Sequence, residues 1–549
     1  MVQDITADIG QEITLDGYRL SLDGIVRLAR NPASTKVRLS KKAQSRAAES
    51  NDMKARAIQR RYPIYGVTSG FGDSSARQIS ARKSAELQQN LVRFLAAGTG
   101  RCADSDVVRA TMAIRANCLA RGWSGVRPEL IQLLVDCIQA NIQPLIPERG
   151  SVGASGDLVP LSYLAALLTG TGECLYEGEI RPAAEVLRLC ELRPLALEAK
   201  EGLALVNGTS FMSGFAVLAL HDASELCFVG DLCTALASQV LTGNPEHFSS
   251  FVFEHKPHYG SIVSATIIRR LLGGSERQVT NGALRDGQDY NELESPIQDR
   301  YSIRCAPYVV GVLRDTIEWS RDWLTIEVNS SNDNPLFEPA ADRVYSAGNF
   351  YGGHVGIAMD TLKTAVASLG DLLDRQLELV VDERYNNGLT PNLIPRLEPG
   401  AADLGLLHGF KGMQISASSL VAEALKLTMP ATSFSRSTEA HNQDKVSMGT
   451  IAARDARTVV ELVQKTAAIH LLALCQAADL RGLGCLSDAT SRAYELIRTR
   501  SAYVAKDRPL DSDIEEVAAL ISSGELRWAV DGMESDSYGE HPSGSEGRL

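Results

Sequence analysis

The stretch Gly150-Ser-Val-Gly-Ala-Ser-Gly-Asp157 holds the most distinctive chemistry in the chain. In Ala154-Ser155-Gly156 the amide nitrogen of Gly156 can attack the carbonyl carbon of Ala154. Glycine suits the attacking position because it lacks a Cβ and tolerates the angles that ring closure demands. Loss of two waters, one of them carrying the Ser155 hydroxyl, leaves a ring with an exocyclic methylene. The product is 4-methylidene-imidazol-5-one (MIO), an electrophile built from backbone. Three small residues also make an ordinary tight turn before a helix, so the tripeptide needs supporting context.

Two other clusters carry less. Gly98-Thr-Gly100-Arg-Cys-Ala103 has the glycines of a dinucleotide loop. That motif must follow a strand and open a helix, and here a helical stretch precedes it. His255 and His258 lack a third ligand nearby in sequence and read as loop or surface histidines, with no metal. The 10 cysteines are scattered without a CxxC pair, which fits reduced thiols in a cytoplasmic protein. With 67 acidic against 55 basic residues the formal charge is -12, which argues against nucleic acid as a partner.

Positioning such a ring takes a large framework. The chain has 549 residues, 44% hydrophobic and 22% charged, which excludes wholesale disorder and a multi-span membrane protein. The first residues lack an apolar run and do not read as a signal peptide. Glu12 to Leu22 reads as a strand or hairpin around Gly17, followed by a helix start; residues 34–61 are polar and helix-prone. Pro63 to Gly72, with three glycines, is a loop. Residues 83–97 and 104–121 have helical spacing, and Pro160 opens an apolar helix over Leu161 to Leu168. Gly202 to Leu220 is uncharged over a membrane-spanning length, but Asn207, Thr209, Ser210 and Ser213 favour a buried helix. Leu362, Val366, Leu369, Leu373, Leu377 and Val380 form one apolar stripe, stopped by Asn386-Asn387-Gly388. Arg457 to Leu480 is apolar on more than one face, as in a helix buried among helices. The expectation is a mainly α protein. Residues 1–200 carry the tripeptide, 201–532 form a helical bundle shared between subunits, and 533–549 are a disordered tail.

The surroundings of the tripeptide supply the missing context. Gly150-Ser151-x-Gly153-Ala154-Ser155-Gly156-Asp157-Leu158-x-Pro160-Leu161-Ser162 resembles the signature of MIO-dependent aromatic amino acid ammonia-lyases and aminomutases. Further segments follow that family's order: Ile64 to Gly72, Lys200 to Thr209, Gln298 to Cys305, Asp333 to Leu336 with Gly348-Asn349-Phe350, and Glu439 to Asp444. The resemblance runs from Leu20 to Ala529 and looks closest to bacterial, cyanobacterial-type phenylalanine ammonia-lyases. It implies the ammonia-lyase fold, an N-terminal MIO-bearing domain followed by a long helical bundle. It also implies a homotetramer whose active sites combine residues of three subunits, with no metal and no diffusible cofactor. The implied partner is a small aromatic amino acid rather than nucleic acid or a membrane.

Carried over by position, Tyr65 matches the catalytic base, and a phenol of pKa about 10 then needs lowering to act near neutral pH. Arg304 matches the arginine that binds the substrate carboxylate, a task suited to a planar guanidinium, although Asp299 or Asp315 could instead hold it in an ion pair. Asn207 and Asn334 match groups that contact substrate or hold Arg304 and the MIO carbonyl. Tyr301 matches a second active-site tyrosine, Phe350 an aromatic beside the ring, and Gln443 a hydrogen-bonding partner of the ring. Glu439 matches a carboxylate near the substrate amine. Phe94 and Leu95 resemble the pair of phenylalanine-selective members, where tyrosine-selective ones carry His; Lys411 looks phenylalanine-type, and Leu203 is expected in the same pocket. Gly353-His354 and the mixed features of His441 to Met448 depart from the phenylalanine pattern.

The implied activity is deamination of L-phenylalanine to trans-cinnamate and ammonia. A phenylalanine or tyrosine 2,3-aminomutase would use the same residues and differ in how long a lid retains cinnamate. A silent helical scaffold is the reading from another class, and it would form no MIO.

Overall fold

The computed structural model describes residues 12–275, 297–398, 400–403 and 405–531. The tail expected to be disordered, 533–549, lies outside the described residues.

The chain enters through β1 (Glu12–Leu15), α1 (Leu22–Arg30) and β2 (Lys36–Leu39). Glu12 pairs with Lys36 and Leu15 with Leu39 in parallel register, so no hairpin forms at Gly17. A chain that passes through a helix before returning brings its second strand back parallel. Gly17, at φ +86°, instead turns the chain against α4, and its N–H donates to Asn117 Oδ1 at 2.9 Å. Next come α2 (Lys41–Gln59), capped by the Ser40 hydroxyl, then α3 (Ser84–Leu95), α4 (Ser105–Ala120) and α5 (Pro128–Gln139). The glycine-rich segment between α2 and α3 is a loop, as expected.

Gly98 to Ala103 is a ladder rather than a nucleotide loop. Here β3 (Thr99–Cys102) runs antiparallel to β5 (Pro147–Arg149), while β4 (Gln143–Pro144), β6 (Glu173–Tyr176) and β7 (Glu179–Pro182) form a second small sheet. The ladder delivers the chain to residues 150–157, and α6 (Leu158–Leu168) takes it away. This helix starts two residues before Pro160, because donors in a first turn have no intrahelical partner and proline loses nothing there. The short α7 (Ala183–Leu189) follows.

The uncharged stretch after Lys200 is two helices, α8 (Glu201–Val206) and α9 (Ser210–Val240), broken at residues 207–209. Beyond it lie α10 (Ser250–Glu254), α11 (Tyr259–Leu272), α12 (Tyr301–Arg304), α13 (Ala306–Val328), the hairpin β8 (Leu336–Glu338) with β9 (Arg343–Tyr345), α14 (Gly353–Val381), α15 (Lys411–Lys426) and α16 (Gly449–Arg481). Helices α9 and α14 pack on each other and on both α13 and α16, flanked by α11 and α15. Every residue of the expected stripe from Leu362 to Val380 is 0% exposed. Each such leucine contributes about 1.5–3 kcal/mol. α9 and α16 are long and apolar enough to cross a membrane, yet 83% and 78% of their most apolar windows are buried inside the protein.

Two helix limits differ from the expected ones. α14 stops at Val381, ahead of Asn386-Asn387-Gly388, because the Asp382 carboxylate accepts from Arg384 N–H at 2.9 Å and draws the backbone into a turn. α16 starts at Gly449 rather than Arg457, because Met448 N–H donates to Val152 O at 3.0 Å and ties the helix entry to the tripeptide loop. Three short helices, α17 (Asp488–Arg498), α18 (Asp511–Ser522) and α19 (Glu525–Asp531), close the end of the described chain.

Inside α16, His470 is fully buried with Nε2 3.3 Å from Gln376 Oε1. Burial drives its pKa down to about 3 from 6.5. A base depressed in the folded state contributes stability that is complete above 6.5 and is lost as pH falls toward about 3, at up to about 1.4 kcal/mol per pH unit. His470→Gln is expected to flatten the acid side of a Tm-versus-pH curve below 6.5. An unchanged acid side would show that His470 does not take up a proton on unfolding.

Candidate active site

The tripeptide sits where three distant segments meet. Gly156 has φ +69° and forms an isolated parallel bridge with Gly208 in the break between α8 and α9. A Cβ at residue 156 would stand 2.1 Å from the Gly208 carbonyl oxygen, so both the backbone angle and the space demand glycine. Asn207 Nδ2 donates to the Ser155 carbonyl oxygen at 2.7 Å, and Gln443 Nε2 to the Ser155 hydroxyl at 3.2 Å. Ser447 donates to the Gly153 carbonyl oxygen through its N–H at 3.2 Å and its hydroxyl at 3.0 Å. The segment is therefore held from α8, from the 439–443 turn and from the entry to α16.

Asp157 anchors the exit. Its N–H donates to Gly208 O at 2.7 Å, and its carboxylate accepts from Met212 N–H at 2.8 Å, Ser151 Oγ at 3.1 Å and the Thr450 hydroxyl. Complete burial raises its pKa to about 6 against these hydrogen bonds.

A cleft of about 410 Å³ opens over Ala154 and Ser155. Tyr65, Asn207, Asn334, Phe350, Glu439 and Gln443 line it, with Phe94, Leu95 and Leu203 forming an apolar wall. Asn334 Oδ1 accepts from Ala347 N–H at 2.7 Å. The wall is open in the single chain, with Phe94 62% exposed. Phe71, Gly72, Leu91, Leu158, Asn442, Asp444 and Lys445 complete the lining. Sequence reasoning did not single these out as site residues. Five of them, Phe71, Gly72, Leu158, Asn442 and Asp444, lie inside the segments that carry the family resemblance, which is the signal that could have found them.

Tyr65 departs from expectation. Its hydroxyl accepts from Gly72 N–H at 2.9 Å. Burial pushes its pKa above 10 and the nearby Glu439 charge pushes the same way, with only the Gly72 hydrogen bond opposing. The groups around it in one chain therefore work against the lowered pKa that a base near neutrality needs. Glu439 also latches the glycine-rich loop. Its carboxylate accepts from Asp73 N–H at 3.2 Å and from Asn442 Nδ2 at 2.9 Å.

Tyr301, Arg304 and Lys411 are not brought to this cleft. Tyr301 is 70% exposed on α12, and Lys411 is exposed at the start of α15. Arg304 is half-buried, donates to the Asp299 backbone carbonyl at 3.0 Å and stacks over Tyr301 at 4.5 Å. The ion pair with Asp299 or Asp315 does not form; Asp315 instead accepts from Gly260 N–H at 2.8 Å. His255 and His258 are exposed, and His255 packs on Phe251 with ring centroids 4.3 Å apart.

A mainly α framework with a glycine-constrained AlaSerGly segment under a tyrosine-bearing loop defines a lyase-type site. The chain belongs to the aromatic amino acid lyase family, whose model matches residues 20–499. It is 39% identical to histidine ammonia-lyase of Symbiobacterium thermophilum over 517 residues, covering 94% of this chain and 98% of that one. It is also 39% identical to tyrosine ammonia-lyase of Cupriavidus metallidurans, covering 94% and 97%. Tyrosine aminomutase from Streptomyces globisporus superposes with a TM-score of 0.90 at 36% identity, covering 96% and 99%.

Proposed function

We propose that this protein converts L-phenylalanine to trans-cinnamate and ammonia, using MIO formed from Ala154, Ser155 and Gly156. The observation that carries the reading is one cleft joining the tripeptide, the Tyr65 hydroxyl and the Phe94–Leu95 wall. The residues fit the group, since position 156 admits only glycine and the Ser155 carbonyl already has an amide donor. MIO supplies an electrophile that takes up the substrate amine and makes it a better leaving group. Tyr65 removes the benzylic β-proton, and Glu439 accepts a proton from the departing amine or orients the ammonia. Asn207 and Gln443 hold the tripeptide, while Asn334 and Phe350 border the substrate. Phe94, Leu95 and Leu203 pack the ring and offer a tyrosine hydroxyl no partner, a loss of about 1–3 kcal/mol.

Arg304, with Tyr301 stacked beside it, binds the substrate carboxylate from another subunit, and Lys411 likewise comes from a neighbouring chain. The placement of all three away from the cleft, with Tyr301 and Lys411 exposed and Arg304 half-buried, supports a homotetramer with shared active sites.

The three relatives named above act, by their names, on histidine and tyrosine, so the choice of ring rests on the wall residues. Phe94→His is expected to shift the kcat/KM ratio of phenylalanine to tyrosine toward tyrosine by about tenfold or more, the equivalent of about 1.4 kcal/mol. An unaltered ratio removes Phe94 from the selectivity role. The deciding experiment is a time course with L-phenylalanine, with cinnamate and β-phenylalanine separated by chromatography. Steady cinnamate alone supports the lyase. Early β-phenylalanine supports the second reading, a 2,3-aminomutase, which the Asp73–Glu439 latch favours because a closed lid retains cinnamate. Turnover of histidine or tyrosine but not phenylalanine overturns the ring assignment.

A further inference from the structure

The break between α8 and α9 holds the tripeptide on one side and meets Arg115 of α4 on the other. Arg115 is 0% exposed. Its Nη1 donates to the Asn207 carbonyl oxygen at 3.0 Å and its Nη2 to Cys118 Sγ at 3.1 Å. The Cys118 thiol donates to Asn332 Oδ1 at 3.1 Å, and Asn332 Nδ2 to Thr209 Oγ1 at 2.7 Å. One guanidinium thus braces residue 207 directly and residue 209 through two intermediates. The same chain of bonds reaches the segment that carries Asn334.

Among the described residues no carboxylate pairs with Arg115. A buried cation costs several kcal/mol to desolvate and ordinarily sits beside an anion. The adjacent buried carboxylate, Asp333, is already paired with Lys200 at 2.6 Å. The fit is also steric, since a Cβ at residue 208 would stand 1.9 Å from Nη1. Arg115 and Gly208 are shaped to each other at the point where the backbone must turn Asn207 toward Ser155.

We propose that Arg115 is a positioning residue for ring formation and for catalysis, holding residues 207–209 so that the Asn207 amide meets the Ser155 carbonyl. The proposal deepens the MIO reading and rests on it. In ring formation a bond forms between Gly156 N and the Ala154 carbonyl carbon. The Ala154 oxygen leaves as water with the amide protons of Gly156 and Ser155. The Ser155 hydroxyl leaves as a second water with the Ser155 Cα proton. An amide donor on the Ser155 carbonyl draws electron density from that Cα and favours loss of its proton. Lysine carries its three N–H donors on one nitrogen and lacks the rigid fork whose two nitrogens reach Asn207 O and Cys118 Sγ separately.

The test measures the mass of the proteolytic peptide containing residues 154–156 in wild type, Arg115→Lys, Asn207→Ala and the double variant, together with kcat and KM. Wild type is expected to lack two waters. Arg115→Lys, with an unchanged circular dichroism spectrum, is expected to show a fraction retaining them. Its kcat per cyclised enzyme falls about tenfold or more, with KM within about threefold. In the Asn207→Ala background Arg115→Lys adds less than about twofold, because both act through one contact. An unaltered Arg115→Lys enzyme, or its full effect repeated in the Asn207→Ala background, overturns the proposal. If Arg115→Lys does not fold, Cys118→Ala removes one anchor of the guanidinium. A smaller cyclisation defect silenced by Asn207→Ala then supports the proposal, and complete cyclisation with unchanged kcat overturns it. A wild-type peptide that keeps both waters overturns the MIO reading itself, and this proposal with it.

Discussion

Ser155→Ala is expected to give a folded protein that has lost at least about 10³-fold in kcat, or more than about 4 kcal/mol of transition-state stabilisation. The argument is covalent. Without the Ser155 hydroxyl the second water cannot leave, so no exocyclic methylene forms. The cost to folding is small, because the hydroxyl accepts one bond, from Gln443 at 3.2 Å. The backbone contacts that hold the loop, Asn207 to Ser155 O and Ser447 to Gly153 O, are untouched by the change. Peptide mass and kcat should fail together while the melting temperature holds. A fully active Ser155→Ala enzyme would exclude chemistry at the tripeptide.

Tyr65→Phe is the second large effect, with an expected loss of about 10²–10⁴-fold in kcat, the range of a positioned general base. The ring keeps its packing, so KM should move little. The lost hydroxyl leaves Gly72 N–H without its acceptor, a local cost of about 1–3 kcal/mol to the loop rather than to the core. The pH profile separates the two roles. A base works deprotonated, and burial holds the Tyr65 pKa above 10 in the isolated chain. The wild-type rate should therefore rise with pH across the neutral and alkaline range, and that rise should vanish in Tyr65→Phe. An unchanged profile and kcat would leave Tyr65 as packing.

The contrast between Tyr65 and the tripeptide marks how far the sequence could be read. Ala154-Ser155-Gly156 was legible because its chemistry is covalent and local, and the structure adds to it a Gly208 oxygen that only glycine can approach. The six-residue stripe of α14 was legible because helical periodicity is a property of near neighbours. The break at residues 207–209 was not, since Asn207 and Thr209 looked like polar positions within one buried helix. It exists because Gly156, Asp157 and Arg115, distant in sequence, pair with that backbone. Likewise β1 and β2 pair parallel because α1 intervenes, and α16 begins at Gly449 because Val152 binds its entry.

The candidate site divides the same way. Resemblance to the family's motifs named Tyr65, Asn207, Asn334, Phe350, Glu439 and Gln443, and the fold gathers them around one cleft. Phe71, Leu158 and Asn442 stand in the same motif segments without an assigned role, and the path of the backbone brings them and Lys445 to the cleft. Tyr301 and Lys411 stay exposed and Arg304 half-buried, all three away from the cleft of the single chain. Which atoms can react and which segments become helices follow from the residues alone, because both depend on covalent structure and close neighbours. Which groups lose water and which meet is fixed by the folded packing, because desolvation and contact depend on residues far away along the chain. That is why Tyr65 carries a raised pKa and Arg115 a place behind the tripeptide, neither of which is written in the residues beside them.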